Sequence, residues 1–285
     1  MKQISVFAKV FVGAAILTVL FLSIASYAGG KALEQDPNLI SNIEKRYNVT
    51  IRLGGMSSST PDSLSATSDT WNFAPPTKVL SIKNVAGNFH LKVGTSKEVL
   101  ITAKGNLDKK KASRLLDVVA AGDTLTIQEP DDAVQKLEVY IEVPSSFQQE
   151  LNVTTVKGDT NIEGLNLEKL VVASVSGDTN LNRVDAKVTD LKTVSGEVEA
   201  EQVNLQQIEG SSVSGDLKVS NNKPMTVKFK SVSGDVKLQI AQGEKAFYNL
   251  HSLSGKVENK LGSAGAGKSA FTVDIKTTSG DIEIE

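Results

Sequence analysis

Residues 212–216 read Ser-Val-Ser-Gly-Asp, and this phrase recurs with small variations through the second half of the chain. Its central glycine is found at Gly158, Gly177, Gly196, Gly215, Gly234, Gly255 and Gly280. The first five glycines recur at a constant interval, and the last two intervals are longer. A period of roughly 20 residues is typical of solenoids, in which successive coils stack. The sequence therefore predicts an all-β fold, a single-stranded β-helix or β-solenoid with rungs of about 19 residues.

Apolar residues alternate with polar ones around each glycine, which is the pattern of strands with one buried face. Around Gly234, the sequence predicts that Val232 and Val236, two residues before and after the glycine, both face inward. A second apolar run lies seven and five residues before it, at Val227 and Phe229. Each rung is thus predicted to contain two short strands. The seven glycines are assigned structural roles, in bends that need a positive φ or a close approach between coils.

The first 30 residues are predicted to be a membrane or export segment. Lys2 and Lys9 precede an uncharged stretch whose apolar part runs from residue 10 to residue 28, close to the length needed to cross a bilayer. Small residues ending at Ala28 also allow a cleaved signal peptide. Under either interpretation the lysines favour a cytoplasmic N-terminus and an exported body. Residues 31–78, with a short helix over 38–47 and a Ser/Thr-rich stretch to Thr70, are interpreted as a tether.

The folded body is predicted to span residues 79–285. Its opening is more irregular than the repeats, with strands near residues 99–101, 124–127 and 137–143. Residues 108–121 are predicted to form the one helix of the body, because apolar residues are interspersed with lysines there.

Composition and motifs give little support for catalysis. The chain has 31 basic and 33 acidic residues, no cysteine, and no basic stripe that would suggest nucleic acid. His90 and His251 stand in unrelated parts of the sequence, and no serine lies in a Gly-x-Ser-x-Gly motif. We therefore predict a protein that is not an enzyme, with no catalytic, cofactor-binding or metal-binding residues and no cofactor.

An acidic residue follows most of the repeat glycines, and a stack of like charges would repel unless something neutralised it. Calcium is one such partner, but Lys256 occupies this position once and the calcium-binding nonapeptide repeat is absent. Carbohydrate binding is a further alternative, yet the repeat aromatics Phe229, Tyr248 and Phe271 are predicted to face mainly inward. The column is therefore interpreted as a set of solvated turns.

The Val-Ser-Gly-Asp-Val turns, the strand at residues 137–144 and the opening at residues 82–89 resemble the bacterial putative-adhesin β-strand-repeat family of unknown function. The resemblance covers residues 79–285, and it implies a β-helix-like fold and an extracytoplasmic location. With its N-terminal apolar segment, the whole chain also resembles a membrane-anchored protein of a bacterial cell-envelope-stress operon. The resulting hypothesis is a non-enzymatic, single-pass membrane protein whose partner is an envelope polymer or an envelope protein. A polysaccharide-acting β-helix enzyme and a calcium-binding solenoid are the alternatives.

Overall fold

A computed structural model provides the structure of the protein and describes residues 64–83, 86–130, 134–240, 246–262 and 271–285. All of them belong to the compact unit Pro61–Glu285. The predicted anchor or signal segment, the helix at residues 38–47 and most of the tether lie outside the described residues. Within the described ranges, no helix is long and apolar enough to cross a membrane.

Twenty strands lie in the described residues. They are β1 (Leu64–Phe73), β2 (Val79–Lys83), β3 (Asn88–Gly94), β4 (Val99–Asp108), β5 (Asp117–Ala121), β6 (Thr124–Gln128), β7 (Val134–Pro144), β8 (Glu150–Lys157), β9 (Thr160–Glu163), β10 (Asn166–Ser176), β11 (Thr179–Asn182), β12 (Asp185–Ser195), β13 (Val198–Ser212), β14 (Leu217–Asn221), β15 (Thr226–Lys230), β16 (Val236–Ile240), β17 (Phe247–Ser252), β18 (Val257–Asn259), β19 (Thr272–Thr277) and β20 (Ile282–Ile284). The predicted all-β fold is confirmed.

The strands form two sheets, a front sheet and a back sheet, which are joined by one shared strand. The front sheet contains β1, β3, β4, β7, β9, β11, β14, β16, β18 and β20, and the back sheet contains β2, β5, β6, β8, β10, β12, β15, β17 and β19. β13 joins both, because its first half pairs with β11 and its second half with β12. Each rung of the repeat region gives one strand to each sheet, and neighbouring rungs pair in parallel. This is the predicted β-solenoid.

Inward-facing side chains from both sheets form a single apolar core. Phe229 of β15 and Leu238 of β16 belong to it and are almost completely buried, as the strand alternation predicts. Burying one side chain of this size stabilises the fold by roughly 1.5–3 kcal/mol. Because a single rung has no partner for its inner face, this stabilisation depends on stacking.

The rungs at both ends do not stack in chain order. The rung of β19 and β20 lies between that of β15 and β16 and that of β17 and β18. At the opposite end, the rung of β2 and β3 lies between β6/β7 and β8/β9. Gly280 is therefore an interior position of the glycine column, and Gly255 is the terminal one. The sequence intervals before Gly255 and Gly280 are longer than those between the earlier glycines, and they coincide with this departure from chain order.

The predicted helix at residues 108–121 is wrong. β4 extends to Asp108, and β5 pairs antiparallel with β6 around Gly122, whose φ is 58°. The spacing of apolar residues there favours a helix, but the adjacent segment offers a hairpin partner that satisfies the backbone of β5. The two neighbouring residues Leu115 and Leu116 are both fully buried in the connection before this strand.

Two finer predictions also differ from the structure. Residues 64–73, predicted to be part of the tether, form β1, which pairs antiparallel with β4 along its whole length. The residue two before the glycine faces outward in several rungs, where Val232 is 50% exposed and Leu253 is 74% exposed, although Val194 is buried. The buried position is instead the hydroxyl residue three before the glycine, as at Ser231, because it continues the inward series begun at Phe229.

Candidate functional site

The seven repeat glycines form a column along one corner of the solenoid. A Cβ atom added to any of them would overlap the carbonyl oxygen of the glycine in the adjoining rung. Gly177 and Gly196 also have φ values of 119° and 117°, a region that side chains rarely adopt. The structure thus brings the predicted glycines together in close-packed turns, where any larger residue would separate two coils.

Hydroxyl side chains close the turns of the later rungs. The backbone N–H of Gly215 donates to Oγ of Ser212 at 2.7 Å, and that of Gly234 donates to Oγ of Ser231 at 2.8 Å. Gly280 makes the same contact with Thr277 at 2.9 Å. These hydroxyl groups are buried, so each satisfies an amide that would otherwise lack a partner inside the corner.

The acidic residues after the glycines form a second column, which we call the acidic ladder. Oδ1 of one residue accepts the backbone N–H of the equivalent residue in the next rung. The bonds run from Asp159 to Asn88 at 3.0 Å, Asp178 to Asp159 at 2.9 Å, Glu197 to Asp178 at 2.9 Å, Asp235 to Asp216 at 2.8 Å, Asp281 to Asp235 at 2.8 Å and Lys256 to Asp281 at 2.7 Å. Carboxylates at these positions therefore act as backbone acceptors between rungs.

The ladder accounts for the lysine that interrupts the sequence pattern. Lys256 belongs to the last rung of the described residues: its N–H donates to Asp281, and no described rung beyond it needs an acceptor from its side chain. Glu197 departs from the aspartate pattern of the ladder, because its longer side chain forms an ion pair with Lys218 at 2.5 Å. Across the described ranges, no three His, Asp or Glu side chains are grouped closely enough to hold a metal ion.

The two histidines lie on opposite sheets, and the structure does not bring them together. His251 is exposed on the back sheet beside Lys276. His90 lies on the front sheet and stacks on Tyr140, with ring centroids 4.9 Å apart and an angle of 13° between the rings. Its Nε2 is 3.2 Å from a carboxylate oxygen of Glu138.

Polar side chains continue this stack along the front sheet. We call the set Lys104, Glu138, Tyr140, His90, Asn161 and Asn180 the front patch. The amide of Asn180 donates to Oδ1 of Asn161 at 3.0 Å, and the amide of Asn161 lies 3.4 Å from Nδ1 of His90. Nζ of Lys104 lies 5.9 Å from the centre of the Tyr140 ring. Tyr140 is 43% exposed and is surrounded by polar side chains, so the patch is mainly polar.

A groove of ≈ 430 Å³ is the second surface feature, on the corner opposite the glycine column. Among its lining residues, we call the buried Leu167, Ala186 and Leu205 the floor and Lys223, Pro224 and Phe271 the end wall. Polar residues line its rim, namely Asn166, Asp185, Lys187, Asn204 and Gln206. The amide of Asn204 donates to Oδ1 of Asp185 at 2.6 Å.

Pro224 and Asn221 explain why the groove is there. Pro224 lies two residues before the first register pair of β13 and β15, Gln207 with Thr226, and a proline has no N–H with which to extend the ladder. The buried side chain of Asn221 takes over this role, because it accepts the N–H of Leu205 at 2.8 Å and donates to the carbonyl of Leu205 at 3.1 Å. β15 begins only at Thr226, so Leu205 has no strand partner on this side of β13.

The groove does not have the paired carboxylates of a glycoside hydrolase. Asp185 is the one carboxylate among the described lining residues, and its partner is an amide. Such enzymes use two carboxyl groups flanking the scissile bond. Arg183 forms an ion pair with Glu163 and is not among the residues that line the groove.

Comparison with known proteins agrees with this architecture. Residues 77–285 match the model of the Toastrack DUF4097 family. The chain belongs to the Toastrack DUF4097 family. The predicted resemblance of the body to a β-repeat family of unknown function is thereby confirmed at the level of the family. No curated protein matches the chain.

Solved structures with similar folds share little sequence with this Toastrack chain. A putative adhesin from Bacteroides fragilis has a TM-score of 0.48 at 16% identity, over 77% of this chain and 97% of its own. A putative lipid binding protein from Parabacteroides distasonis has a TM-score of 0.45 at 12% identity, covering 77% and 94%. A putative cell adhesion protein from Clostridium sporogenes has a TM-score of 0.41 at 14% identity, covering 77% and 99%.

Proposed function

We propose that this protein is a non-enzymatic interaction module that binds an envelope polymer or envelope protein outside the cytoplasmic membrane. The observation that carries the proposal is the stacked body itself, whose outward polar side chains lie in register from rung to rung on the front sheet. A surface of this kind repeats the same contacts at a spacing of about 4.8 Å, which suits an extended or polymeric partner.

The location outside the membrane is part of the same proposal. It rests on the apolar segment of residues 10–28, preceded by Lys2 and Lys9, and on the absence of cysteine from the whole chain. The N-terminus would then be cytoplasmic, with a single membrane-spanning helix and the body on the other side. The similarity of the whole chain to a membrane-anchored protein of an envelope-stress operon remains a prediction that accompanies this topology.

Co-sedimentation of the full-length chain with washed bacterial cell-envelope fragments tests the proposal. We expect saturable retention on the fragments, in excess of that of a soluble protein of similar size and net charge. Retention no greater than that of this control would contradict an interaction function. Release of new reducing ends from the fragments during the incubation would instead support the alternative of a polysaccharide-acting enzyme.

A further inference from the structure

We propose that the groove bounded by Asn166, Gln206, Pro224 and Phe271 binds a segment of an extended, uncharged, β-linked glycan. The inference rests on the proposed envelope-binding function and adds to it a site and a class of ligand. The groove combines a polar rim with an apolar floor and end wall, which is the combination expected of a small-molecule or polymer site.

The rim repeats with the rungs of the solenoid. Asn166, Asp185 and Asn204 are register partners on three successive strands of the back sheet. The amide of Asn204 is hydrogen-bonded to the carboxylate of Asp185 at 2.6 Å, and the strands that carry the three residues are spaced at about 4.8 Å. That distance is close to the length of one sugar unit in an extended β-linked chain. Successive sugars running along the solenoid axis would each meet one amide or carboxylate able to bond to hydroxyl groups.

The lower rim supplies a second row of hydrogen-bonding groups. Lys187 and Gln206 are exposed, lie one strand apart and line the groove. Lys187 forms an ion pair with Glu168 at 2.6 Å, so its charge is balanced locally. The two other charged lining residues, Asp185 and Lys223, carry opposite charges. Because the charges on and beside the groove balance, an uncharged ligand fits better than a polyanion.

The end wall suits the apolar face of a sugar ring. Pro224 and Phe271 are partly buried and present ring carbon atoms to the groove. The C–H groups on one face of a pyranose, or the methyl group of an N-acetyl substituent, would pack against them. The floor residue Leu205 extends this apolar contact.

A peptide is a poorer occupant because a peptide strand binds by adding to an open sheet edge. Beneath the groove, β10 pairs with β12 and β12 pairs with β13, and on the other side of β13 the side chain of Asn221 bonds to both backbone groups of Leu205. Backbone groups are therefore occupied, and the groove offers side-chain amides, a carboxylate and ammonium groups instead. These groups match a ligand whose recognition sites are hydroxyl and amide groups.

Titration of the full-length chain with chitohexaose, a β-linked glycan, tests the site, with α-linked maltohexaose as the comparison ligand. Gln206→Arg places a long charged side chain in the groove at an exposed position. Gln239→Arg makes the same change at an exposed position of the front sheet and serves as the matched control. Asn166→Arg is a second groove variant at an exposed position, and thermal melting verifies that each variant is folded.

We expect chitohexaose to bind the natural chain and the Gln239→Arg variant equally, and to bind either folded groove variant about tenfold or more weakly. We expect maltohexaose to bind less well than chitohexaose. Equal binding by the groove variants, equal binding of the two sugars, or no saturable binding of chitohexaose would overturn the inference. If envelope fragments are still retained in that last case, only the groove assignment fails. If retention is lost as well, the proposed function fails with it.

Discussion

The backbone N–H of Asp281 donates a 2.8 Å hydrogen bond to Oδ1 of Asp235, although 46 residues separate the two in the chain. Asp281 in turn accepts the N–H of Lys256, which precedes it in sequence. The acidic ladder thus records the stacking order of the rungs directly. It passes from the rung of β15 and β16 to that of β19 and β20, and only then to that of β17 and β18.

The stacking order gives Gly280 and Gly255 unequal roles. Gly280→Val would force apart two rungs that are each packed on both sides, because its side chain meets the backbone of Gly234. Gly255→Val creates a similar overlap with Gly280, but the terminal rung can move outward to relieve it. We expect Gly280→Val to cost about 3 kcal/mol of stability and Gly255→Val about 1 kcal/mol.

Thermal melting of both variants measures this difference, since 1 kcal/mol shifts the midpoint of a body of this size by roughly 2–4 °C. A larger loss in Gly255→Val than in Gly280→Val would mean that the rungs stack in chain order.

The hydrogen bonding of the acidic ladder predicts that calcium does not change the stability of the protein. Its carboxylate oxygens accept backbone N–H groups, whereas a calcium site needs six to eight oxygen ligands around one ion. We expect millimolar calcium or excess chelator to change the melting temperature by no more than about 1–2 °C. Asp235→Asn keeps the acceptor and should be nearly neutral, whereas Asp235→Ala should cost about 1–2 kcal/mol. A saturable, calcium-specific stabilisation that disappears in the Asp216→Asn, Asp235→Asn double variant would show the ladder to be a metal site.

An ion-pair network at the C-terminal end of the front sheet predicts a pH dependence. Hydrogen bonds from Lys260 and then Lys237 lower the pKa of the Glu283 carboxyl, and hydrogen bonds from Lys237 and then Lys260 lower that of Glu285. A lowered pKa in the folded state means that the stabilisation is present above the unfolded value of 4.5 and is lost as the pH falls through the folded values.

Urea unfolding between pH 6 and pH 3 measures this contribution. We expect the natural chain to lose more stability over this range than the Lys237→Met, Lys260→Met double variant, which lacks the network. High salt should reduce the difference because both lysines are exposed to solvent. An identical pH dependence in the two proteins would show that these ion pairs do not contribute to stability.

The predicted anchor at residues 10–28 has a direct mass test. If this segment is retained, protein isolated from membranes keeps residues 1–285 and resists extraction by salt and alkali. Cleavage after Ala28 would instead give a protein that begins at Gly29 and is released in soluble form. We expect the intact mass of the full chain, and a mass matching residues 29–285 would contradict the anchor.

The glycine period predicted the solenoid because the requirement it reflects is local and recurs in every rung. Each coil must pass Gly196 or Gly215 with its backbone close to the adjoining coil, so the same residue returns at a constant interval. The hydrogen-bonding role of the acidic column was missed because its acceptor and donor lie in different rungs. The constant interval between Asp159 and Asp178, repeated at the next acidic residue, contained that signal.

The stacking order and the two surface features could not be predicted in the same way. His90 and Tyr140 are distant in the chain, and nothing in either local sequence indicates that β3 and β7 pair. Phe271 reaches the groove only because β19 lies beside β15. Pro224 was the one local sign of the groove, since a proline within a repeat of parallel strands marks an interrupted ladder.

Both the described fold and the position of Phe271 at the groove depend on the stacking order of the last rungs. Pairs of introduced cysteines test this order, because the chain has no cysteine of its own. Lys228 is the register partner of Asp274, which is in turn the partner of Asn249. Lys228 and Asn249 therefore lie two strands apart, at about 9–10 Å, beyond the roughly 7 Å that a disulfide can bridge. We predict that mild oxidation cross-links the Lys228→Cys, Asp274→Cys variant and leaves Lys228→Cys, Asn249→Cys open. Cross-linking of the second pair in place of the first would contradict the stacking order and, with it, the wall that Phe271 gives the groove.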